Sequence, residues 1–313
     1  MLKVENIKKS YGVVPVLKGI SIEVKCGEVY GLIGANGAGK TTLMNIISQI
    51  SKADEGSVFI DDKKLTSIND LSGNVGYMLD IPAMFEFMTA YEYFEYLASP
   101  MGKSKEEVRK IADKLLKEVA LVNVENKKIK GFSRGMKQRM GIAAALVSNP
   151  KVVLMDEPSS ALDPQGRHEV LEIIESLRKQ GKIVILSTHI LNDVEKICDK
   201  VGLLVGGKIV VEGKISDVLS SFAENAFNVE CETEENLKAV LQKAEKCESF
   251  DGEIIKGNFA EIKFKPNSKE QMFKCITSES KGVNSISLKT SSIETIFLKA
   301  SQGGTKWKNL KLV

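Results

Sequence analysis

No stretch of this chain approaches the roughly 20 consecutive apolar residues of a membrane-spanning helix. The longest apolar run, at 141–147, suits one buried helix face. If the protein works at a membrane, it must dock onto something else that crosses it. Residues 1–10 alternate polar and apolar and lack the unbroken apolar stretch of a secretion signal, so the chain is expected to stay in the cytoplasm. An excess of one charge is missing as well: 44 basic residues meet 41 acidic ones, a net of +3 spread along the chain. That balance gives no sign of a nucleic-acid partner. The five cysteines are scattered, odd in number and without CxxC or zinc spacing. Cys26, Cys198, Cys231, Cys247 and Cys275 are therefore expected as reduced structural thiols in cytosol.

What is present is an ordinary globular composition. Apolar residues make up 43% and charged residues 27%, so a sizeable core can be buried and disorder is excluded. A length of 313 residues exceeds one compact domain of typical size and suggests a large domain followed by a smaller one.

Short β-type runs at 2–8, 16–24 and 28–33 come first, and the last enters a glycine-rich turn that opens a helix-forming stretch at 41–50. From 89 to 119 the spacing turns helical, with Tyr91, Phe94 and Leu97 on one face and a second amphipathic helix at 105–119. Ser133 supplies an N-cap hydroxyl for a further helix. Strand 152–155, helix 164–180, strand 183–186 and a helix after His189 then alternate, which predicts a mostly parallel sheet with helical crossovers. Gly206 and Gly207 separate two short strands as a hairpin, and a helix over 216–222 leads out. A first domain is thus expected at 1–224, with a helical subdomain at about 82–148. Beyond Asn225 the order of apolar patterns is βαββαβ, which predicts a small ferredoxin-like α+β domain at 225–300. Residues 301–313 are expected to be a frayed tail.

Two motifs carry chemistry. Gly34, Ala35, Asn36, Gly37, Ala38, Gly39, Lys40 and Thr41 satisfy GxxxxGK[ST] at every fixed position, between a predicted strand and a predicted helix. The glycines let successive backbone N–H groups turn toward one anion, and the helix N-terminus adds its positive end. Lys40 meets the outer phosphates, Thr41 offers an oxygen to Mg²⁺, and the neighbouring Thr42 counts with the nucleotide-binding residues. Val152 to Met155 form an apolar strand that delivers Asp156 and Glu157 at its end, where ligands of open α/β sheets bind. Asp156 is suited to hold Mg²⁺, directly or through water. Glu157 points differently and can accept a proton from an attacking water.

The order of phosphate loop, Phe132-Ser133-Arg134-Gly135-Met136-Lys137-Gln138-Arg139, Asp156-Glu157-Pro158, Ser160-Ala161-Leu162-Asp163 and Ser187-Thr188-His189 resembles the ATP-binding subunit of ABC transporters, over residues 1 to about 220. The resemblance implies an α/β P-loop NTPase cassette with a mixed, mostly parallel sheet and ATP with Mg²⁺ as its ligands. It also implies a head-to-tail dimer with a second copy and a separate transmembrane permease as partner. Phe132 to Met136 stands where the family has LSGGQ, departing at three positions but keeping Ser133 and Gly135. By resemblance these two contact the γ-phosphate held by the opposite subunit, Asp163 lies in the D-loop, and His189 senses the γ-phosphate. His168, the other histidine, reads as a partly exposed surface residue. Tyr11 stands where the family has an adenine-stacking aromatic, although edge-strand packing suits it too. Asp80 replaces the usual glutamine after Val75-Gly76-Tyr77, and keeps a possible contact to the metal while losing the amide donor. The aromatic and sulfur-rich stretch from Met84 to Tyr96 suits core packing, or in part a groove for an intracellular helix of the permease.

The signature form, the C-terminal plait and Ser291 to Leu298 resemble ATPase subunits of antibiotic-resistance and multidrug exporters. An importer motor is the alternative within the transporter class. A soluble ABC ATPase without transport, or a nucleotide-binding regulator without hydrolysis, stands outside it. Translation-type members carry two cassettes and chromosome-type members a long coiled coil, and neither occurs here.

Overall fold

A computed structural model describes residues 1–71, 73–160, 162–222, 225–278, 281–289, 292–301 and 310–311. Ala161, Ser291 and most of the expected tail lie outside the described residues. The chain forms two compact units, Met1–Ile215 with Phe297–Val313, and Ser216–Ile296.

The first unit holds two sheets. Strands β1 (Leu2–Tyr11) and β2 (Val14–Val24) pair antiparallel, as do β1 and β4 (Glu55–Ile60), and the two-residue β5 (Lys63–Lys64) closes that sheet. The second sheet is built around strands that are buried on both faces: β3 (Val29–Ile33), β7 (Val152–Asp156) and β8 (Ile183–Thr188) have no exposed position. Continuous apolar runs of this kind are what a parallel sheet covered on both sides requires. β6 (Val75–Met78) and β9 (Lys200–Val205) extend it in parallel, and β10 (Lys208–Lys214) follows antiparallel to β9 through the Gly206-Gly207 turn. The spatial order is β10-β9-β3-β8-β7-β6.

Helix α1 (Lys40–Ile47) starts directly after the glycine turn that follows β3 and buries Leu43, Met44, Ile46 and Ile47. These side chains share one core with Leu2, Ile20 and Val58 of the antiparallel sheet and Leu32, Val152 and Ile185 of the parallel one. The start of α1 is therefore held from both sides. Helices α2 (Ala90–Ala98) and α3 (Lys105–Glu118) are each opened by a full capping box, Thr89 with Glu92 and Ser104 with Glu107. Ser133 caps α4 (Arg134–Ala145) as expected, its hydroxyl accepting from the Met136 N–H at 3.2 Å. Gly76 of β6 is required by close packing, since a Cβ there would lie 2.0 Å from the Ala145 carbonyl at the end of α4. Helices α5 (Pro164–Lys179) and α6 (Leu191–Ile197) flank β8 in the chain. Among the described residues no helix is long and apolar enough to cross a membrane.

The second unit begins with α7 (Ile215–Ser221) and then runs β11 (Ala226–Cys231), α8 (Glu234–Glu245), β12 (Phe250–Lys256), β13 (Phe259–Phe264), α9 (Lys269–Thr277) and β14 (Val283–Leu288). Its antiparallel sheet has the order β12-β13-β11-β14, which is the ferredoxin-like arrangement read from the sequence. Phe227, Val229, Ala260 and Ile262 alternate onto the face that meets Leu237, Val240, Met272 and Ile276 of the helices. Helix α10 (Ile293–Ser301) follows.

Two expectations are corrected. Cys247 and Cys275 are paired as a disulfide that ties the end of α8 to α9, with Cα atoms 6.4 Å apart, while Cys26, Cys198 and Cys231 are thiols. The two cysteines are 28 residues apart in sequence, and only the packing of α8 against α9 brings them together. The frayed tail is not frayed throughout: β15 (Leu310–Lys311) pairs in parallel with Val211 and Glu212 of β10.

The disulfide makes a countable prediction. Protein purified without reductant and then denatured should present three thiols to iodoacetamide, and five after reduction. By loop-closure entropy, the cross-link over a 28-residue separation stabilises its unit by about 3–4 kcal/mol. Cys275→Ser should accordingly lower the melting transition of that unit, read by calorimetry.

Candidate functional site

The site assembles at the carboxyl ends of β3, β7 and β8. Asp156 of β7 lies directly opposite Ser187 of β8, and Ile33 of β3 opposite Thr188, so three strand ends release their loops at one level. The loop from Gly34 to Gly39 bends through two positive-φ glycines, Gly37 at 79° and Gly39 at 109°. Side chains are excluded for different reasons. A Cβ on Gly37 would point into open space, whereas one on Gly39 would lie 2.7 Å from Leu17. Gly39 is the N-cap of α1 and has no side chain to cap it, which leaves the first N–H groups of that helix available to an anion.

Lys40 is only 7% exposed and donates to the carbonyls of Gly34 at 2.7 Å and Ala35 at 3.4 Å. Its ammonium also stands 3.9 Å from a Glu157 carboxylate oxygen. Thr41 donates its hydroxyl proton to Asp156 Oδ2 at 2.7 Å, and the fully buried Ser187 hydroxyl donates to the other Asp156 oxygen. Each oxygen of this buried carboxylate thus has a named donor, as low-dielectric surroundings demand. The Tyr77 hydroxyl is buried nearby without a hydrogen-bond partner, and burial together with the Asp156 charge raises its pKa.

Glu157 follows at φ 50°, a left-handed backbone that costs a non-glycine residue about 1–3 kcal/mol. Its N–H donates to the Ser187 carbonyl at 3.0 Å, and Gln138 of α4 donates to its carbonyl at 3.3 Å. This turn aims the carboxylate away from Asp156. One of its oxygens lies 2.9 Å from His189 Nδ1 and receives the His189 N–H at 3.4 Å.

Asn36, Gly37, Gly39, Lys40, Thr41, Thr42, Asp80, Asp156 and Glu157 line one cavity of about 680 Å³, with Val16, Leu79 and Ile81 as its apolar wall. Tyr11 lies outside that lining, 53% exposed, with the Lys9 ammonium 5.6 Å from its ring centre. Ser133 and Gly135 stand at the start of α4, and Asp163 N-caps α5 by accepting from Gly166 N–H at 2.8 Å. Within one chain none of these three lines the cavity. His168 is exposed on α5 beside Glu172, as expected. Ser187 and Gln138 belong to motifs quoted above but carry no role of their own in the sequence, and Val16 and Ile81 carry none either. Ser187 could have been found there, because it is the residue paired with Asp156 if β7 and β8 are in register.

The residues present fit a Mg²⁺-triphosphate. A hydroxyl and a carboxylate 2.7 Å apart supply hard oxygens for a cation that keeps most of its remaining ligands as water and phosphate. The lysine and the uncapped helix start supply the positive charge that phosphates need.

The comparisons with known proteins agree with this geometry. Residues 17–160 match the model of the ABC transporter family. The chain is 38% identical over 228 residues to the lantibiotic transport ATP-binding protein SrtF of Streptococcus pyogenes, covering 73% of this chain and 96% of that protein. It is also 35% identical over 224 residues to the methionine import ATP-binding protein MetN of Clostridioides difficile, covering 70% of each. Among solved structures, an ATP-binding cassette in a dimeric post-hydrolysis state bound to ADP and Pi matches with a TM-score of 0.63 and 30% identity, over 69% of this chain and 99% of that one.

Removing the outer-phosphate cation should abolish most nucleotide affinity. At Mg-ATP near 100 times its dissociation constant, the wild-type chain should gain about 2.7 kcal/mol of stability. Differential scanning fluorimetry of Lys40→Ala should show almost no ATP-induced rise in melting temperature. A rise equal to wild type would detach the glycine loop from nucleotide binding.

Proposed function

Since the chain belongs to the ABC transporter family as an ATP-binding subunit, we propose that it hydrolyses ATP to drive a separate transmembrane permease that exports drugs, peptides or antibiotics. The observation that carries the hydrolytic part is the divergence of Asp156 and Glu157. One carboxylate is held by Thr41 and Ser187, and the other turns toward Lys40 and His189.

In this reading the N–H groups of Gly37 to Thr41 and the Lys40 ammonium bind the phosphates. Thr41 and Asp156 would hold Mg²⁺, which when bound would offset the negative charge of the phosphates. Asp80 lines the same cavity, with a carboxylate where an amide donor would orient water. Glu157 is the base that accepts the proton of the attacking water, and His189 orients Glu157 and meets the γ-phosphate. Lys40 moves from the Gly34 carbonyl to phosphate, exchanging a neutral acceptor for a charged one.

A single chain supplies one phosphate loop and one signature segment. Ser133, Gly135 and Asp163 complete the site of a second copy, arranged head to tail, and the dimeric relative supports this. The cassette at 1–224 is the motor, the plait at 225–300 an accessory or regulatory domain, and 301–313 its tail. The protein works in the cytoplasm, peripheral to the membrane through the permease.

The aromatic stretch divides in a way that supports a docking role. Tyr93 and Phe94 are buried, whereas Phe85, Phe87 and Tyr96 are 40%, 67% and 51% exposed. Phe85 stacks edge-on with Tyr96 at 5.0 Å and contacts Phe87 at 5.8 Å. An exposed aromatic cluster of this kind suits the apolar face of a partner helix. Export rather than import is supported by the signature form and by the lantibiotic-transport relative, while the methionine-import relative supports the importer alternative.

Two experiments test the proposal. In Glu157→Gln, turnover measured by phosphate release should fall by about 10²–10⁴-fold, the usual worth of a general base. ATP binding should persist, and ATP-dependent dimerisation on size-exclusion chromatography should increase as a negative charge beside the triphosphate is lost. Near-normal hydrolysis would remove Glu157 as base. Phe87→Ala with Tyr96→Ala should leave basal hydrolysis unchanged but weaken co-purification with the permease, since aromatic anchors are typically worth about 2 kcal/mol at an interface. Unaltered co-purification would place the docking surface elsewhere.

A further inference from the structure

Glu157 and His189 leave adjacent strands on separate loops, yet their side chains meet at 2.9 Å. The Glu157 loop is closed by a turn bond from the Ser160 N–H to the Glu157 carbonyl at 3.1 Å. Glu157 sits in a strained left-handed turn, and His189 belongs to a short connection into α6, whose N-cap, Ile190, has no side-chain capping bond. On the His189 side, the Ile190 N–H donates to the Thr188 hydroxyl at 3.0 Å and the Asp193 N–H to the Ile190 carbonyl at 3.1 Å.

On the same two loops, Ser159 donates its hydroxyl proton to Asp193 Oδ2 at 2.7 Å. Ser159 is 2% and Asp193 7% exposed, so water does not compete for the bond. Ser159 lies two positions after Glu157, and Asp193 four positions after His189. The bond therefore joins the two loops at buried points a few residues beyond the reacting side chains. Val194, fully buried beside Asp193, anchors the same turn of α6 in the core.

We propose that Ser159 and Asp193 are positioning residues, a buried clamp that keeps His189 in register with Glu157. Neither touches nucleotide; both act through the loops they join. The inference rests on the reading of Glu157 and His189 as the hydrolytic pair, and asks what sets their separation. A hydroxyl and a carboxylate suit the task because their short bond is directional, whereas apolar packing alone tolerates sliding. A conservative replacement that keeps the hydroxyl should keep the register, and one that deletes it should not.

The test compares Ser159→Ala and Ser159→Thr in the full-length chain, with two readouts. In steady-state phosphate release, Ser159→Ala should lower kcat by about 10-fold, the order seen when an outer-shell partner is removed, with KM for ATP within about twofold of wild type. In nucleotide-free protein labelled at histidine, the His189 ring resonance should shift in Ser159→Ala, while that of His168 stays in place. Only these two histidines contribute. Ser159→Thr should restore both kcat and the resonance. An unmoved His189 resonance in Ser159→Ala, or a loss of kcat that Ser159→Thr fails to restore, overturns the clamp. Should Ser159→Ala melt below the assay temperature, Asp193→Ala, which removes the acceptor without adding volume, is measured in the same way. If Glu157→Gln hydrolyses normally while Ser159→Ala still moves the His189 resonance, the reading of the base fails and the clamp stands.

Discussion

The hydrogen bond from Thr41 to Asp156 is the contact on which the rest of the site depends. It joins the first turn of α1 to the end of β7, two segments 115 residues apart in sequence. It forms because the apolar strands β3, β8 and β7 lie side by side in register and because the buried face of α1 fits the core between the two sheets. A slip of one residue between β7 and β8 would turn every side chain of the shifted strand to the other face. Asp156 would then lose Ser187, and a buried carboxylate would be left without a donor. The cost of that orphaned charge enforces the register.

The same register explains how two consecutive carboxylates serve different ends. Asp156 is the last residue of a regular strand and stays in the sheet's plane of alternation. Glu157 escapes it only because its backbone adopts a left-handed turn, stabilised by the Ser187 carbonyl and by Gln138 from α4. The local strain is small beside the many contacts that impose it, so the fold can maintain an outlier where the chemistry requires one. The positioning role of Ser159 and Asp193 continues this logic one layer further from the cavity.

Much of the site is legible in the amino-acid sequence, for identifiable physical reasons. A phosphate loop is a local motif: strand, glycine turn and helix are adjacent in sequence, and the lysine and threonine follow at fixed offsets. Asp156 and Glu157 announce themselves as charges at the end of an apolar strand. The βαββαβ order of the second unit is legible because its strands alternate faces and its helices keep a different period. Ser187 and Gln138 fall inside motifs but their roles do not show there, and Ser159 and Asp193 do not stand out, because such a side chain has no meaning until its partner is known. The Cys247–Cys275 pair is hidden for the same reason, since nothing in a spacing of 28 residues indicates that two helix segments will meet.

From its residues alone, this chain reads as an ABC cassette with a glycine-rich phosphate-loop motif, an aspartate at a strand end with a second carboxylate beside it, and no apolar run long enough to span a membrane. These follow from local periodicity, glycine conformation and the chemistry of neighbouring side chains. Tertiary structure decided which distant groups touch: Thr41 with Asp156, Glu157 with His189, Ser159 with Asp193. It also decided that Tyr93 and Phe94 are covered while Phe85, Phe87 and Tyr96 are not. Those choices depend on strand register and helix packing, in which the free energy belongs to pairs of residues far apart in the chain rather than to any one stretch of it.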